Sequence, residues 1–384
     1  MTYQPGGSVE GLLEIVPSRT GLVDTKGGLL RTPGGGYSPK KRDAYLPAPL
    51  CKEMRLRGGE CIAGTLSETP PREWERGPGL QEIHTINGLS IAEHLRTRLF
   101  EDLPAVEPQN QLNLATQDGP LATRIIDLMM PLGLGQRSLI VAPPRSGKTI
   151  LLQQIAHGVA ANHPGVHIVL LLVDERPEEV TDMRRTAPGE VVASNNDRES
   201  SNHVRLAHLM LERAKRLVEA GKNVVILLDS LTRLARAFNT VAWSGRSRDV
   251  NNVEKLLVED AKNFFGTARN IEYGASLTII GTLHVETGSR TDDLVYGEFR
   301  SAADSEIVLS KELADERVWP AIDLVSSRSR HEERLLGATT LKASQKLRRR
   351  FEKTTAPRAM KKMIETMTRH DDNEALAEAV LKSR

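Results

Sequence analysis

"VAPPRSGKTI", Val141 to Ile150, decides how the rest of the chain is read. It approaches the phosphate-loop pattern G-x-x-x-x-G-K-S/T, except that Ala142 stands where the first glycine belongs. Such a loop works because backbone N–H groups of a tight turn and a helix N-terminus converge on an anion. Gly147 permits close approach, Lys148 reaches the outer phosphates, and Thr149 offers a hydroxyl to Mg²⁺. Pro144, Arg145, Ser146 and Ile150 complete the expected nucleotide contacts. The pair Pro143-Pro144 fixes the turn by a route other than glycine, so Ala142 costs little if it needs no positive φ.

The flanks supply the required context. "RSLIVA" before the loop reads as a strand. "TILLQQIAHGVAAN" after it reads as a helix, with Leu152, Ile155, Ala156 and Val159 on one face. Further on, "VHIVLLLVDE", "NVVILLDS" and "SLTIIGTL" are continuous apolar strands, and "SNHVRLAHLMLERAKRLVEAG" is a helix that stops at Gly221. Buried strands alternating with helices predict a mostly parallel sheet covered on both faces, an α/β core. "VVILLDS" delivers Asp229, placed to serve Mg²⁺, or failing that to cap a helix. "LLLVDERPEEV" delivers Glu175, a candidate general base for an attacking water, with Arg176 beside it as a phosphate contact or a structural ion-pair partner.

Before this core, Gly and Pro punctuate short alternating runs: "SVEGLLEIV", "GGLLRT", "AYLPAP", "ECIAGTL" and "LQEIHTI". Residues 1–87 are expected to form a small all-β barrel. Residues 88–120 read as a polar connector, and 121–384 as the α/β core with a charged helical tail. Apolar runs of about six residues are far short of the roughly 20 a membrane span needs, and no basic segment precedes the first apolar one, so a cytoplasmic, non-membrane protein is expected. Cys51 and Cys61 fit neither a disulfide framework nor a zinc spacing. A net charge of +2, from 52 basic and 50 acidic residues, means that any nucleic-acid partner is held by local patches.

"LIVAPPRSGKTILLQQIA", "LLVDERPEEVTDM", "NVVILLDSLTRLARAFNTV", "FFGTARN" and "RVWPAID" closely resemble the Rho family of bacterial transcription termination factors, most densely over residues 121–334. That family begins its phosphate loop with Ala-Pro-Pro. The resemblance implies a RecA-like P-loop ATPase core behind an OB/cold-shock-like barrel. It also implies a homohexamer that hydrolyses ATP with Mg²⁺, translocates on single-stranded RNA and releases the transcript from RNA polymerase. By position, Lys148 and Thr149 hold phosphate and metal, Glu175 is the catalytic base and Asp229 serves the metal. Arg145 matches a family lysine. Trp319 matches an aromatic that stacks on adenine, Arg330 an arginine finger inserted by the neighbouring subunit, and Arg317 an interface arginine. RNA contacts fall on Arg246 and Arg248 in one pore loop, Arg290 in another, and Tyr45 in the barrel.

Departures are expected to matter most in the barrel. The family's Gly-Phe-Gly-Phe-Leu-Arg strand aligns with "RTGLVD", residues 19–24, and a further aromatic aligns with Gly77. Each stacked base is worth about 1–3 kcal/mol, so losing two or three aromatics weakens loading by roughly 10²- to 10⁴-fold. Two other readings stand beside this one: another hexameric RecA-like ATPase such as a rotary ATP synthase subunit, and an ATP-holding RNA-binding regulator that does not move.

Overall fold

The structure is a computed structural model and describes residues 6–16, 27–69, 77–245 and 253–383. These fall into two compact units. One comprises Met1–Leu103 with Arg205–Lys222, the other Pro104–Val204 with Asn223–Arg384.

The first unit is built on β1 (Ser8–Val16), β2 (Gly27–Arg31), β3 (Tyr45–Leu46), β4 (Cys61–Leu66) and β5 (Leu80–Ile86), in the order β3-β2-β1-β4-β5. Every pairing in this sheet is antiparallel. A bridge from Tyr45 to Gly79 draws the two edges together into a half-barrel. Alternation along the strands puts Leu13, Leu30, Leu46, Ile62, Ile83 and Ile86 inside. The stretch Arg205–Lys222 brings Arg216 against Glu60 and Glu219, with all three side chains buried.

The second unit carries β6 (Ala105–Val106), β7 (Arg137–Ala142), β8 (His167–Glu175), β9 (Glu190–Asn195), β10 (Val224–Asp229), β11 (Arg269–Ile271), β12 (Ser276–His284), β13 (Ser305–Val308) and β14 (Arg328–Ser329). The order is β14-β13-β7-β12-β10-β8-β9, with β11 pairing β12 and β6. From β13 to β9 the strands run parallel. This is the mostly parallel α/β sheet expected from the apolar runs. β10 is buried along its whole length, as a strand covered on both faces must be. Helices Lys148–Asn162 and Pro177–Thr186 connect these strands. Helices Ala338–Phe351, Ala356–Met367 and Asn373–Lys382 close the same core, where Met360, Met363 and Val380 join Ile140, Leu170 and Leu227.

Residues 88–120, read from sequence as a polar connector, are divided between the two units. Leu112 and Leu114 are fully buried in the second, because Gln111-Leu112-Asn113-Leu114 alternates and puts both leucines on one side. Among the described residues no helix is long and apolar enough to cross a membrane.

Candidate nucleotide site

β7 ends at buried Ala142, and the chain turns through Pro143-Pro144 into the loop. Ala142 is not among the residues of positive φ, so no glycine is needed there. The turn is set further on. Arg145 and Gly147 take φ of 64° and 88°, and the Ser146 hydroxyl donates to the Pro143 carbonyl at 2.8 Å. Gly147 caps the helix that Lys148 begins, so N–H groups of the first turn point into the loop. A Cβ on Gly147 would lie 2.8 Å from the Trp319 ring, a cradle closed to any side chain. Pro144, Arg145 and Ile150 are exposed, and Thr149 is half-buried in the first helical turn.

Three further strands end around Lys148. Its Nζ donates to Asp229 Oδ1 at the end of β10, and lies 3.5 Å from Glu175 Oε1 at the end of β8 and 3.4 Å from His284 Nε2 at the end of β12. Strand ends converge here because parallel strands share one carboxyl edge, the usual place for a ligand in such sheets. Asp229 also accepts from Thr282 Oγ1 at 2.8 Å and precedes a cis peptide bond to Ser230. Glu175 is 3% exposed and lies 2.8 Å from Arg233. Burial, then the Asp229 charge, raises its pKa above the ordinary glutamate value, while Lys148 and Arg233 oppose the rise. Burial and the Lys148 charge push His284 down to about 4, so its ring is neutral near pH 7.

Beside the loop opens a cavity of about 480 Å³ lined by Ser146, Gly147, Ile150, Gln154, Trp319 and Ile322, among others. Trp319 is 48% exposed and forms part of its wall. Arg176 is exposed and caps helix Pro177–Thr186. Arg330 follows β14, the edge strand, exposed, with its backbone N–H donating to Asp304 at 2.8 Å. Arg317 is exposed with φ 57°. Arg290 is the exposed first residue of helix Arg290–Ala302. Arg246 and Arg248 lie outside the described residues, as does "RTGLVD". Arg233, Thr282 and His284 were not found by sequence reasoning. Arg233 could have been suspected, since it stands on the helix that follows Asp229, but nothing local marks His284 at the end of a strand that reads as core.

Residues 122–329 match the ATP synthase alpha/beta family, nucleotide-binding domain, and residues 9–92 match the Rho termination factor, RNA-binding domain. The chain is 44% identical over 351 residues to "Transcription termination factor Rho" of Cereibacter sphaeroides, covering 90% of this chain and 80% of that protein. The chain belongs to the Rho family. The factor of that name from Bacillus subtilis is 43% identical over 367 residues, covering 94% of this chain and 83% of its own length. Among solved structures, an ATPase from the type III secretion system of pathogenic bacteria superposes with a TM-score of 0.58 at 25% identity, over 72% of this chain and 86% of that one. This Rho-family chain thus joins an RNA-binding domain of the family to an ATPase-type nucleotide-binding domain.

Proposed function

We propose that this Rho-family chain is a transcription termination factor of the cytoplasm. In a ring of six copies, ATP hydrolysis drives it along single-stranded RNA and releases the transcript from RNA polymerase. The observation that carries this reading is the meeting of Lys148, Glu175 and Asp229 at one carboxyl edge, in a chain that also holds the family's RNA-binding domain.

The site fits a nucleoside triphosphate. Gly147 leaves a cradle without a side chain, Lys148 supplies a cation, and the cavity beside Trp319 offers an apolar slot for a base. The donor set of the Thr149 hydroxyl and the Asp229 carboxylate fits Mg²⁺, which prefers hard oxygen ligands. When bound, that ion would neutralise phosphate charge. Glu175 is the group to take a proton from water as the water oxygen attacks the terminal phosphorus and ADP departs. Burial raises its pKa, which makes it a stronger base than an ordinary glutamate. Buried Glu175 Oε1 lies 2.8 Å from Arg233 and 3.5 Å from Lys148, two cations that hold the carboxylate at the strand end. Trp319 would stack on adenine, and Arg145 and Arg176 would hold phosphate. Arg330 and Arg317, both exposed, would act at the site of the adjacent copy. Arg246, Arg248 and Arg290 would contact RNA in the pore.

The barrel supports weakened loading. β2 reads Gly27-Gly28-Leu29-Leu30-Arg31 and pairs with β1, so it fits the family's Gly-Phe-Leu-Arg ending better than residues 19–24 do. In that alignment Gly27 and Leu29 stand at the aromatic positions. A Cβ on Gly27 would lie 2.4 Å from the Tyr45 hydroxyl, so Tyr45 covers the place an aromatic would occupy. Arg31 is buried between Glu14 and Asp43, and its charge is spent internally.

The deciding measurement is ATP turnover of the full chain with and without RNA, beside Lys148→Ala. RNA-stimulated turnover that Lys148→Ala abolishes is expected. A rate indifferent to RNA refutes the translocase, and the absence of turnover refutes the enzyme.

A further inference from the structure

β12 lies between β7, which leads into the phosphate loop, and β10, which delivers Asp229. Its last residues therefore sit under the space between loop and carboxylate. Alternate strand residues share a face, so Thr282 and His284 are presented together. Thr282 Oγ1 donates 2.8 Å to Asp229, and His284 Nε2 faces Lys148 Nζ at 3.4 Å. The His284 backbone is fixed on both sides. It is the register partner of Ala142, and its N–H donates 2.9 Å to Thr232 Oγ1. An ammonium only donates, so Nε2 is the acceptor in this contact and the ring proton belongs on Nδ1.

We propose that His284 is a positioning residue for Lys148, holding the ammonium where it can reach the phosphates of a nucleoside triphosphate. This rests on the nucleotide reading of the site. Lys148 otherwise faces two carboxylates, Asp229 and Glu175, whose charge draws it down into the site. A neutral acceptor engages one of its N–H groups without adding negative charge and leaves another free to turn outward. An unprotonated ring nitrogen would be repelled by a phosphate, so His284 acts through the lysine and does not touch the ligand itself.

The test is equilibrium binding of a fluorescent ATP analogue and of its ADP counterpart to the full chain, in wild type, Lys148→Ala, His284→Leu and His284→Gln. Leucine keeps the bulk and removes the acceptor. Glutamine Oε1 reaches about as far as Nε2 and accepts. His284→Leu is expected to weaken ATP binding about tenfold, the scale of a hydrogen bond to a charged group, and ADP binding by less. His284→Gln is expected to stay within about twofold of wild type. Unchanged ATP binding in His284→Leu overturns the proposal, as does equal weakening in both variants, which would mean that the shape of the ring matters and its acceptor does not. Binding needs no turnover. A chain that behaves as expected here but never hydrolyses ATP sinks the enzymatic reading and leaves this one standing. If Lys148→Ala binds ATP as tightly as wild type, both fall.

Discussion

Gly147 meets two demands at one position. Its φ of 88° is a conformation that L side chains rarely adopt, and the space its Cβ would enter is taken by the Trp319 ring. An alanine there pays about 1–2 kcal/mol for the backbone and must also displace the ring. Gly147→Ala is accordingly expected to weaken nucleotide binding at least tenfold and to lower the melting temperature by a few degrees, which equilibrium binding and thermal unfolding would read together. Glu175 makes a different demand. Because burial holds its proton above the usual glutamate range, the acid limb of kcat/KM should lie above that range. Protonated Glu175 cannot take a proton from water, so turnover falls as pH drops through that pKa. Glu175→Gln should slow turnover by roughly 10²- to 10⁴-fold while ATP still binds. An acid limb at the ordinary glutamate value, or a glutamine variant as fast as wild type, would exclude Glu175 as the base.

Among the elements, helix Leu121–Met129 carries a buried carboxylate at Asp127 that accepts the backbone N–H groups of Leu114 and Ala115 at 2.8 to 3.0 Å. Burial, the largest influence, pushes its pKa up to about 7, against the opposing pull of those N–H groups. The folded chain then holds a proton that the unfolded chain releases near the ordinary aspartate value. Stability from this group is full below that value and is lost as pH rises through about 7. Melting temperature should decline more steeply between roughly pH 4 and 7 in wild type than in Asp127→Asn; parallel curves would show that Asp127 ionises normally. The strands of the site were legible in the sequence for a physical reason. β8, β10 and β12 are buried on both faces, and "IVLLLV", "VVILL" and "LTII" record that directly. Lys148, Glu175 and Asp229 were legible because each ends or follows such a run. His284 and Arg233 were not, since what brings them to the site is the lateral order β7-β12-β10-β8, and no local pattern encodes which strands become neighbours. Leu112 and Leu114 were missed because a short alternation among polar residues looks like a linker.

At the scale of the whole molecule, Arg330 is expected to work only in company. If it completes the site of an adjacent copy, mixing Arg330→Ala chains with Lys148→Ala chains should restore turnover that neither has alone, because a Lys148→Ala neighbour lends its arginine to the intact phosphate loop of an Arg330→Ala chain. A mixture as inactive as its two components would show that Arg330 acts within its own chain. With Tyr45 over Gly27 and Arg31 enclosed by acids, the full chain should bind oligo-C no better than about tenfold over oligo-A; strong pyrimidine preference would show that the barrel still takes bases. The first unit also has a composition that matters beyond binding. It is drawn from two distant stretches of chain, and fully buried Glu60 meets its arginine only when Arg216 arrives from the second stretch. A gene fragment ending at residue 103 would encode the strands and leave out that partner. The barrel is therefore not a cassette: its evolution and its transplantation into another protein are tied to a helix encoded a hundred residues downstream, on the order of a whole small domain away.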